Sequence, residues 1–354
     1  MNQELLQAFK NKDIQTVKII LASGIDLNHR TPGTDTYLFR AWSGQRDYDF
    51  EIVKLLIEYG ADLNDPASPA ITMAAGKGSI QELQYVLDRG ADINAVSHVG
   101  KSALWQAAYK GDMEVVKFLL NAGIDIDKHS GQALQIASSR GHLDLVEFLI
   151  KEKADINYQV FSKNNADLSY TPLHFSAMMQ RFEIARCLLE NGANPALKNY
   201  YGERPYTIAA KQKNNVLAEL IASYEPKELH DLEHKIKELK KAGFPTSILK
   251  DLGEERSRVE LPASKYVKYI EYCSIHDVTE MEIEGIQMFN LLFETNGYDS
   301  LGFLVWIPSK KALGSYEAEH QSLIILHDTD WKKFRKSPGI IIDRILDGEY
   351  EIVT

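Results

Sequence analysis

The sequence predicts an α-solenoid of about seven helix-pair repeats, followed by a small α+β domain with an antiparallel sheet. The first observation is a recurring pattern of two short helices, in which the equivalent glycines Gly78 and Gly111 lie 33 residues apart. The second is that such a pair is too small to bury its own apolar faces and needs copies on either side. The third is that this spacing ends near residue 244, where apolar and polar residues begin to alternate as they do in strands.

The clearest repeat occupies Gly100–Asp127. Small residues at helical spacing within Ala103–Ala108 predict a first helix with a narrow stripe of small side chains. Gly111 interrupts that helix, and the larger apolar residues of Val115–Leu120 predict a second helix that ends at Gly123. The repeat therefore consists of a short helix that packs closely and a second helix with a larger apolar face.

Copies of this unit can be placed from residue 3 to about residue 224, and the first and last copies carry polar substitutions that suit capping repeats. The spacing varies at two places. Gly111 and Gly141 are 30 residues apart, which predicts a shortened loop between those two repeats. Gly141 and Gln180 are 39 residues apart, which predicts an insertion within residues 159–169.

Several short motifs recur in register within this region. They are the tetrad Thr171–His174, the pair Gly141–His142 and the endings Gly60–Asn64 and Gly90–Asn94, which share the pattern Gly-Ala-Asp-x-Asn. With the spacing of 33 residues, these motifs resemble ankyrin repeats over about residues 1–224. The resemblance implies a solenoid whose inner helices and hairpin tips form a concave surface that binds a protein.

The ankyrin resemblance also selects the positions that face this concave surface. We expect partner binding at Lys101, Tyr109, Lys110, His129, Arg140, Tyr170, Met178, Met179, Tyr200, Tyr201 and Lys211. Exposed aromatic, methionine and arginine side chains are typical of protein interfaces. A second interpretation of Met178 and Met179 is that they fill a gap beside the insertion. Trp105, at the position of the motif histidine, is interpreted as a core residue between repeats.

The net charge of −10 argues against sequence-independent binding of nucleic acid, which requires a basic surface, and against an anionic membrane surface. It is compatible with a basic protein partner. The two cysteines, Cys187 and Cys273, lack metal-ligand spacing and are interpreted as thiols in a reducing compartment. With no long apolar run and no signal peptide at the start of the sequence, we expect a cytoplasmic protein.

A helical joint is predicted at residues 225–243 between the array and the second domain, at residues 244–354. Leu229, Leu232, Ile236 and Leu239 form a narrow apolar stripe on this helix. The stripe is too short for a coiled coil, so we expect the helix to pack on the end of the array or on the next domain. That packing would make the joint stiff.

In the second domain the pattern predicts helices, short strands and one tight turn. The predicted elements are a helix at Pro262–Cys273, a strand-like run in Glu280–Phe293 broken at Gly285, a hairpin turn at Asn296–Gly297, strands at Leu301–Ile307, Leu313–Tyr316 and Leu323–Leu326, and helices at Asp328–Phe334 and Pro338–Leu346. The order of elements from Leu313 to Pro338 resembles SUKH-type domains. Those domains are common in bacterial immunity proteins, so this resemblance implies an immunity or antitoxin-like inhibitor of a toxin.

Three groups of residues are candidates for catalysis: His276–Asp277, Glu317–His320 and His327–Asp330. None has the spacing of a metal or nucleophile motif, and Asp328 or Thr329 is better interpreted as a helix cap. We therefore predict a non-catalytic protein with no catalytic residues, metal or cofactor. It is expected to bind a protein partner through the array, with the C-terminal module as an accessory contact or dimerisation surface. An enzyme delivered by the array is the alternative.

Overall fold

The computed structural model describes residues 2–29, 35–43, 48–77, 79–161, 169–295, 303–317 and 322–353. The chain forms two compact units. The first contains Met1–Gln159 and Glu190–Ala193, and the second contains Val160–Leu189 and Asn194–Thr354. The boundaries predicted near residues 224 and 243 stay predictions.

The described part of the first unit consists of five helix pairs, which confirms the helical repeat prediction. The pairs are α1 (Gln3–Asn11) with α2 (Ile14–Ala22), α3 (Tyr37–Ser43) with α4 (Phe50–Glu58), α5 (Ala70–Lys77) with α6 (Ile80–Asp88), α7 (Ala103–Lys110) with α8 (Met113–Asn121), and α9 (Ile126–Arg140) with α10 (Leu143–Lys151). Small residues such as Ala103, Ala107 and Ala108 are fully buried on the first helices. Larger residues such as Val116 and Leu119 are buried on the second helices. The repeats therefore share one continuous core.

The Gly-Ala-Asp-x-Asn endings connect each repeat to the next through backbone hydrogen bonds. Asn64 Oδ1 accepts a hydrogen bond from the backbone N–H of Asp92 at 2.7 Å, and its Nδ2 donates to the carbonyl of Gly90 at 3.1 Å. Asn94 Oδ1 accepts from the backbone N–H of Asp125 at 2.8 Å. These side chains satisfy backbone groups that the turns leave without a helical or strand partner. The motif is therefore a structural connector.

The shortened spacing before Gly141 has a direct cause in α9. This helix begins at Ile126, capped by Asp125, and its fifteen residues take up the positions of the missing loop. His129 consequently lies inside a helix and is only 3% exposed, and burial lowers the pKa of its imidazole. The expectation that His129 faces a partner is wrong, because a helix replaced the hairpin tip.

The second unit begins with two further helix pairs and the predicted joint. The helices are α11 (Pro172–Met178), α12 (Phe182–Glu190), α13 (Pro205–Lys211), α14 (Asn215–Tyr224), a 3-10 turn (Lys227–His230), α15 (Leu232–Lys241) and α16 (Thr246–Leu252). Leu239 of α15 is buried in the core of the C-terminal region, and Leu232 and Ile236 pack against it. Three of the four residues of the predicted stripe therefore belong to that core, whereas Leu229 lies in the preceding 3-10 turn.

Eight strands form two antiparallel sheets in the described C-terminal region. β1 (Ser257–Glu260), β2 (Tyr269–Tyr272) and β5 (Leu292–Thr295) form the first sheet, and β3 (Glu280–Ile283), β4 (Ile286–Asn290), β6 (Phe303–Ile307), β7 (Ala312–Glu317) and β8 (Ser322–Ile325) form the second, in the order β3-β4-β6-β7-β8. The helices α17 (Trp331–Lys336) and α18 (Pro338–Leu346) follow. The α+β prediction is confirmed.

The helix predicted at Pro262–Cys273 is wrong. Tyr269–Tyr272 forms strand β2, which pairs with β1 and β5. Tyrosine and isoleucine favour the pleated, half-buried surface that pairing on both sides provides, and this overrides the helix-start signal of Pro262. The predicted turn at Asn296–Gly297 lies outside the described residues. No helix in the described ranges is long and apolar enough to cross a membrane.

Candidate protein-binding face

The first helices of the five pairs in the first unit (α1, α3, α5, α7 and α9) present a surface that we name the inner face. Each of these helices carries a basic residue in its last turn: Lys10, Arg40, Lys77, Lys110 and Arg140. The second helices α2, α4, α6 and α8 carry none there, and only α10 does. The helix dipole favours cations at the C-terminus of any helix, so it does not explain why the first helices alone have them consistently.

Four side chains of the fourth and fifth helix pairs form a stacked group, which we name the aromatic–cation cluster. Trp105 and Tyr109 stack with ring centres 5.2 Å apart, and Lys101 Nζ lies 4.2 Å from the Trp105 ring. The Arg140 guanidinium lies 4.4 Å from the ring of Tyr109, which is 39% exposed. Cations over aromatic faces attract the ring quadrupole and hold the rings in place. Trp105 is half-buried and belongs to this surface, which corrects its interpretation as a core wedge.

Lys77 extends the positive charge of the cluster to the neighbouring repeat. Its Nζ lies 4.6 Å from the ring of Tyr48, and partial burial together with the charge of Lys110 lowers its pKa. The nearby carboxylate of Glu82 is buried and accepts hydrogen bonds from Tyr48 Oη at 2.5 Å and Trp42 Nε1 at 3.1 Å. Among the described residues, Lys77, Lys110, Lys101 and Arg140 have no carboxylate at ion-pair distance. These four cations therefore have no direct ion-pair partner, whereas Arg40 at the other end of the row pairs with Asp35 at 2.9 Å.

Sequence reasoning found part of this surface. Lys101, Tyr109, Lys110 and Arg140 were expected to face a partner; the structure places Lys101, Tyr109 and Arg140 in the aromatic–cation cluster, and their binding of a partner stays a prediction. Lys77 and Trp105 were missed as surface residues. Lys77 could have been identified from the sequence, because a basic residue recurs in the last turn of the first helix in all five pairs.

The other predicted binding residues belong to the second unit, and several have packing roles there. Tyr170 is 9% exposed and packs edge-on against His174, so the expectation that it faces a partner is wrong. Met178 is half-buried, whereas Met179 is 42% exposed. Tyr200 packs against the core of the second sheet and also contacts Tyr201 edge-on, with ring centres 5.5 Å apart. These contacts use surface that a partner would otherwise cover.

Lys211 is likewise committed to a contact inside the second unit. Its Nζ forms an ion pair with the mostly buried carboxylate of Glu203 and lies 5.6 Å from the ring of Phe293. Burial alone lowers the pKa of Lys211, but the carboxylate of Glu203 raises it above its ordinary value. Asn199 Nδ2 donates a further hydrogen bond to Glu203 at 3.0 Å. Because Lys211 is held in this buried ion pair, its side chain is not free to contact a partner, which corrects the expectation that it binds one.

The candidate catalytic groups are engaged in structural contacts. Asp277 accepts hydrogen bonds from Arg256 Nε at 2.7 Å and Ser274 Oγ at 2.6 Å. Cys273 is fully buried, and burial raises the pKa of its thiol, which disfavours the nucleophilic thiolate. Asp328 is held by Arg344 at 2.9 Å. Across the described ranges no group of three or more His, Cys, Asp or Glu side chains could hold a metal ion. Part of Glu317–His320 lies outside those ranges.

Comparisons with known proteins identify the first half of the chain. A family model described as "Ankyrin repeats (3 copies)" matches residues 5–97 and 71–160, and one described as "Ankyrin repeats (many copies)" matches residues 134–189. The chain is 27% identical over 63% of its length to SH3 and multiple ankyrin repeat domains protein 2 of Homo sapiens. It is 30% identical over 59% of its length to the ankyrin repeat and KH domain-containing protein mask-1 of Caenorhabditis elegans.

These two relatives are far longer than the matched region, which spans 12% of the human protein and 8% of the nematode protein. A third relative, the putative ankyrin repeat protein YahD of Escherichia coli (strain K12), is 28% identical over 62% of the chain and 94% of its own length. The resemblance of the C-terminal region to SUKH-type domains stays a prediction, because the matched family models span residues 5–189.

Proposed function

This chain belongs to the ankyrin repeat family, and from that membership we propose that it is a non-catalytic protein that binds a protein partner through its inner face. Ankyrin repeats support a role in protein interaction. The observation that carries the proposal is the aromatic–cation cluster, because stacked aromatic and arginine side chains are the residue types that dominate binding energy at protein interfaces. In this proposal the C-terminal region is an accessory contact.

We further propose that the partner segment is acidic. The net charge of −10 alone is compatible with a basic partner, but the local charge of the inner face has the opposite sign. A basic residue lies in the last turn of the first helix in all five pairs, and Lys77, Lys110 and Arg140 lack carboxylate partners among the described residues. Complementary charge increases the association rate and fixes the orientation of a partner. An acidic segment that crosses several repeats satisfies this row best.

Charge reversal on the inner face tests the proposal. The double variant Lys110→Glu/Arg140→Glu places two negative charges at the ends of α7 and α9. The matched control Lys117→Glu/Lys151→Glu makes the same change on exposed residues of the second helices α8 and α10. Partners are captured from a lysate of the producing cell with each bait, and the affinity of the purified partner is then measured by titration calorimetry.

We expect the inner-face variant to bind at least about tenfold more weakly, since two like-charge contacts replace two attractive ones. The control variant should bind as the unmodified chain does. A partner that is lost with the control variant and retained with the inner-face variant would place recognition on the second helices and contradict the proposal.

A further inference from the structure

The described C-terminal region contains an open cleft of about 990 Å3 between α16, the turn that connects β6 to β7, and α17. This volume lies at the upper end of the range for ligand sites. Two indole side chains line part of it: Trp306, which is half-buried, and Trp331, which is 6% exposed. The cleft therefore combines an apolar surface with room for a ligand larger than a single ion.

Five cationic side chains line this cleft: Lys250, Lys310, Lys311, Lys332 and Arg335. The four lysines are exposed. None of the five forms an ion pair with a carboxylate among the residues that the structure describes. Such a group of like charges in a chain with a net charge of −10 raises the local positive potential, which attracts anionic ligands.

The three carboxylates in the cleft are engaged by other groups. Asp251 accepts a hydrogen bond from Trp331 Nε1 at 2.7 Å. Asp330 caps α17 by accepting from the backbone N–H of Lys333 at 2.7 Å. Asp328 accepts from Thr329 Oγ1 at 2.9 Å as well as from Arg344, and these hydrogen bonds lower the pKa of its carboxyl. The five lining cations outnumber these three carboxylates by two, which leaves the cleft with a net positive charge.

Arg335 is the most constrained of these cations. Its guanidinium lies 4.6 Å from the ring centre of Tyr272 and 5.8 Å from that of Trp331. Stacking uses the faces of the guanidinium and leaves its in-plane N–H donors for acceptors. Nη1 of Arg335 is buried, and burial raises the pKa of the Tyr272 hydroxyl while the neighbouring Arg335 opposes this increase. An arginine with a fixed orientation is well suited to a carboxylate that reaches its other N–H donors.

The distribution of the charges favours a peptide over a compact anion. The lysines lie on three separate elements as exposed point charges, an arrangement that fits several carboxylates along a chain. No glycine is among the described residues that line the cleft, so these residues do not form the glycine-rich backbone cradle typical of phosphate sites. We propose that this cleft binds an acidic peptide segment that carries an apolar side chain. The inference does not rest on the proposed function of the inner face.

The test uses the full chain and a fluorescein-labelled peptide of eight residues, six Asp and Glu around a central Leu-Phe pair. Binding is followed by fluorescence anisotropy at low ionic strength. The first variant, Lys310→Gln/Lys311→Gln, removes two exposed charges from the β6–β7 turn. The second, Arg335→Gln, removes the stacked guanidinium. Two controls each remove two exposed charges elsewhere, as the first variant does: Lys117→Gln/Lys151→Gln on the second helices α8 and α10, and Lys237→Gln/Lys241→Gln on the exposed side of α15.

We expect both cleft variants to bind the peptide about tenfold more weakly, as the loss of charged contacts predicts. Both controls should retain the affinity of the unmodified chain. Hydrogen–deuterium exchange should show peptide-dependent protection at residues 246–252 and 326–336, which keeps the test decisive if Arg335→Gln unfolds.

Three outcomes overturn the inference. The first is an absence of binding to the unmodified chain. The second is an equal loss in the cleft and α15 variants, which indicates nonspecific attraction. The third is equal binding of an all-acidic peptide without Leu-Phe or of inorganic phosphate, which shows that the site recognises charge alone.

Discussion

His174 shows how one side chain joins the sixth repeat to the seventh. Its Nδ1 accepts a hydrogen bond from the backbone N–H of Thr171 at 3.1 Å, and its Nε2 lies 3.0 Å from the carbonyl oxygen of Glu203. With Nδ1 as the acceptor, Nε2 carries the proton and donates. The side chain is fully buried, and burial lowers the pKa of the imidazole to about 4. Both nitrogens have a partner only in the neutral form.

This pKa predicts a pH dependence of stability. Because the folded pKa is below the unfolded value of about 6.5, the unfolded chain binds a proton first as the pH falls. The contribution of His174 is therefore complete above about pH 6.5 and is lost as the pH falls toward 4, by about 3 kcal/mol in total. Urea unfolding between pH 4 and 7 should show this decline in the unmodified chain.

The variant His174→Asn should be less stable at pH 7 and should lose this part of the pH dependence. His234→Asn changes an exposed histidine in the same unit and should keep it. If the two variants have the same pH profile, the buried neutral histidine is not the cause.

At the scale of elements, the turn before α13 packs against strand β3. Gly202 has a φ of +73°, and a Cβ atom on it would lie 1.8 Å from the carbonyl oxygen of Glu280. Tyr200 packs into the core of the second sheet beside this contact, and Lys198 Nζ lies 3.7 Å from the carboxylate of Glu280. The seventh repeat is therefore fixed to the sheet by backbone contact, which leaves no room for a side chain.

Gly100 provides a matched control for this contact. It has the same φ of +73° in the corresponding turn of the fourth repeat, and nothing lies within 4 Å of a Cβ atom placed there. We expect Gly100→Ala to cost about 1 kcal/mol through backbone strain alone. Gly202→Ala should cost about 3 kcal/mol or more, because strand β3 must also move. Equal losses in the free energy of unfolding would show that the contact with Glu280 is unimportant.

At the scale of the whole molecule, the sixth and seventh helix pairs form one compact unit with the C-terminal region. The ion pair of Lys211 with Glu203, the contact of Gly202 and the packing of Tyr200 all connect repeat residues with each other or with the sheets. Stability in this unit is thus shared between helical repeats and strands.

A chain that ends at Tyr224 should consequently lose protection in its last two helix pairs. We expect hydrogen–deuterium exchange of residues 172–211 to accelerate by about tenfold or more, since buried contacts in the sixth and seventh repeats are removed. Residues 70–121 in the first unit should exchange as they do in the full chain. Unchanged exchange at residues 172–211 would show that the seventh repeat caps the array without the C-terminal region.

The repeat region could be predicted from the sequence because the same pattern of residues recurs in each repeat. A weak signal at one repeat, such as the shortened spacing before Gly141, could be compared with its neighbours. Even so, the sequence did not reveal that α9 replaces a loop and buries His129. Whether this segment forms a helix or a loop depends on packing between repeats.

In the C-terminal region a weak pattern could not be compared with the same pattern in a neighbouring repeat. The strands at Leu313–Tyr316 and Leu323–Leu326 and the helix at Pro338–Leu346 were predicted because their apolar patterns are local. The strand at Tyr269–Tyr272 was missed because its conformation depends on pairing with β1 and β5, which are distant in sequence. The burial of Lys211 depends in the same way on distant residues.

The row of basic residues on the inner face has a modular consequence. Since each of the five helix pairs of the first unit contributes a cation in the last turn of its first helix, the length of acidic chain that the surface can engage increases with the number of these pairs. Duplication of a repeat within the chain adds one cation to this surface, and deletion of a repeat removes one. The selectivity of such a surface for long or short acidic segments can therefore change in whole steps, without redesign of any individual contact.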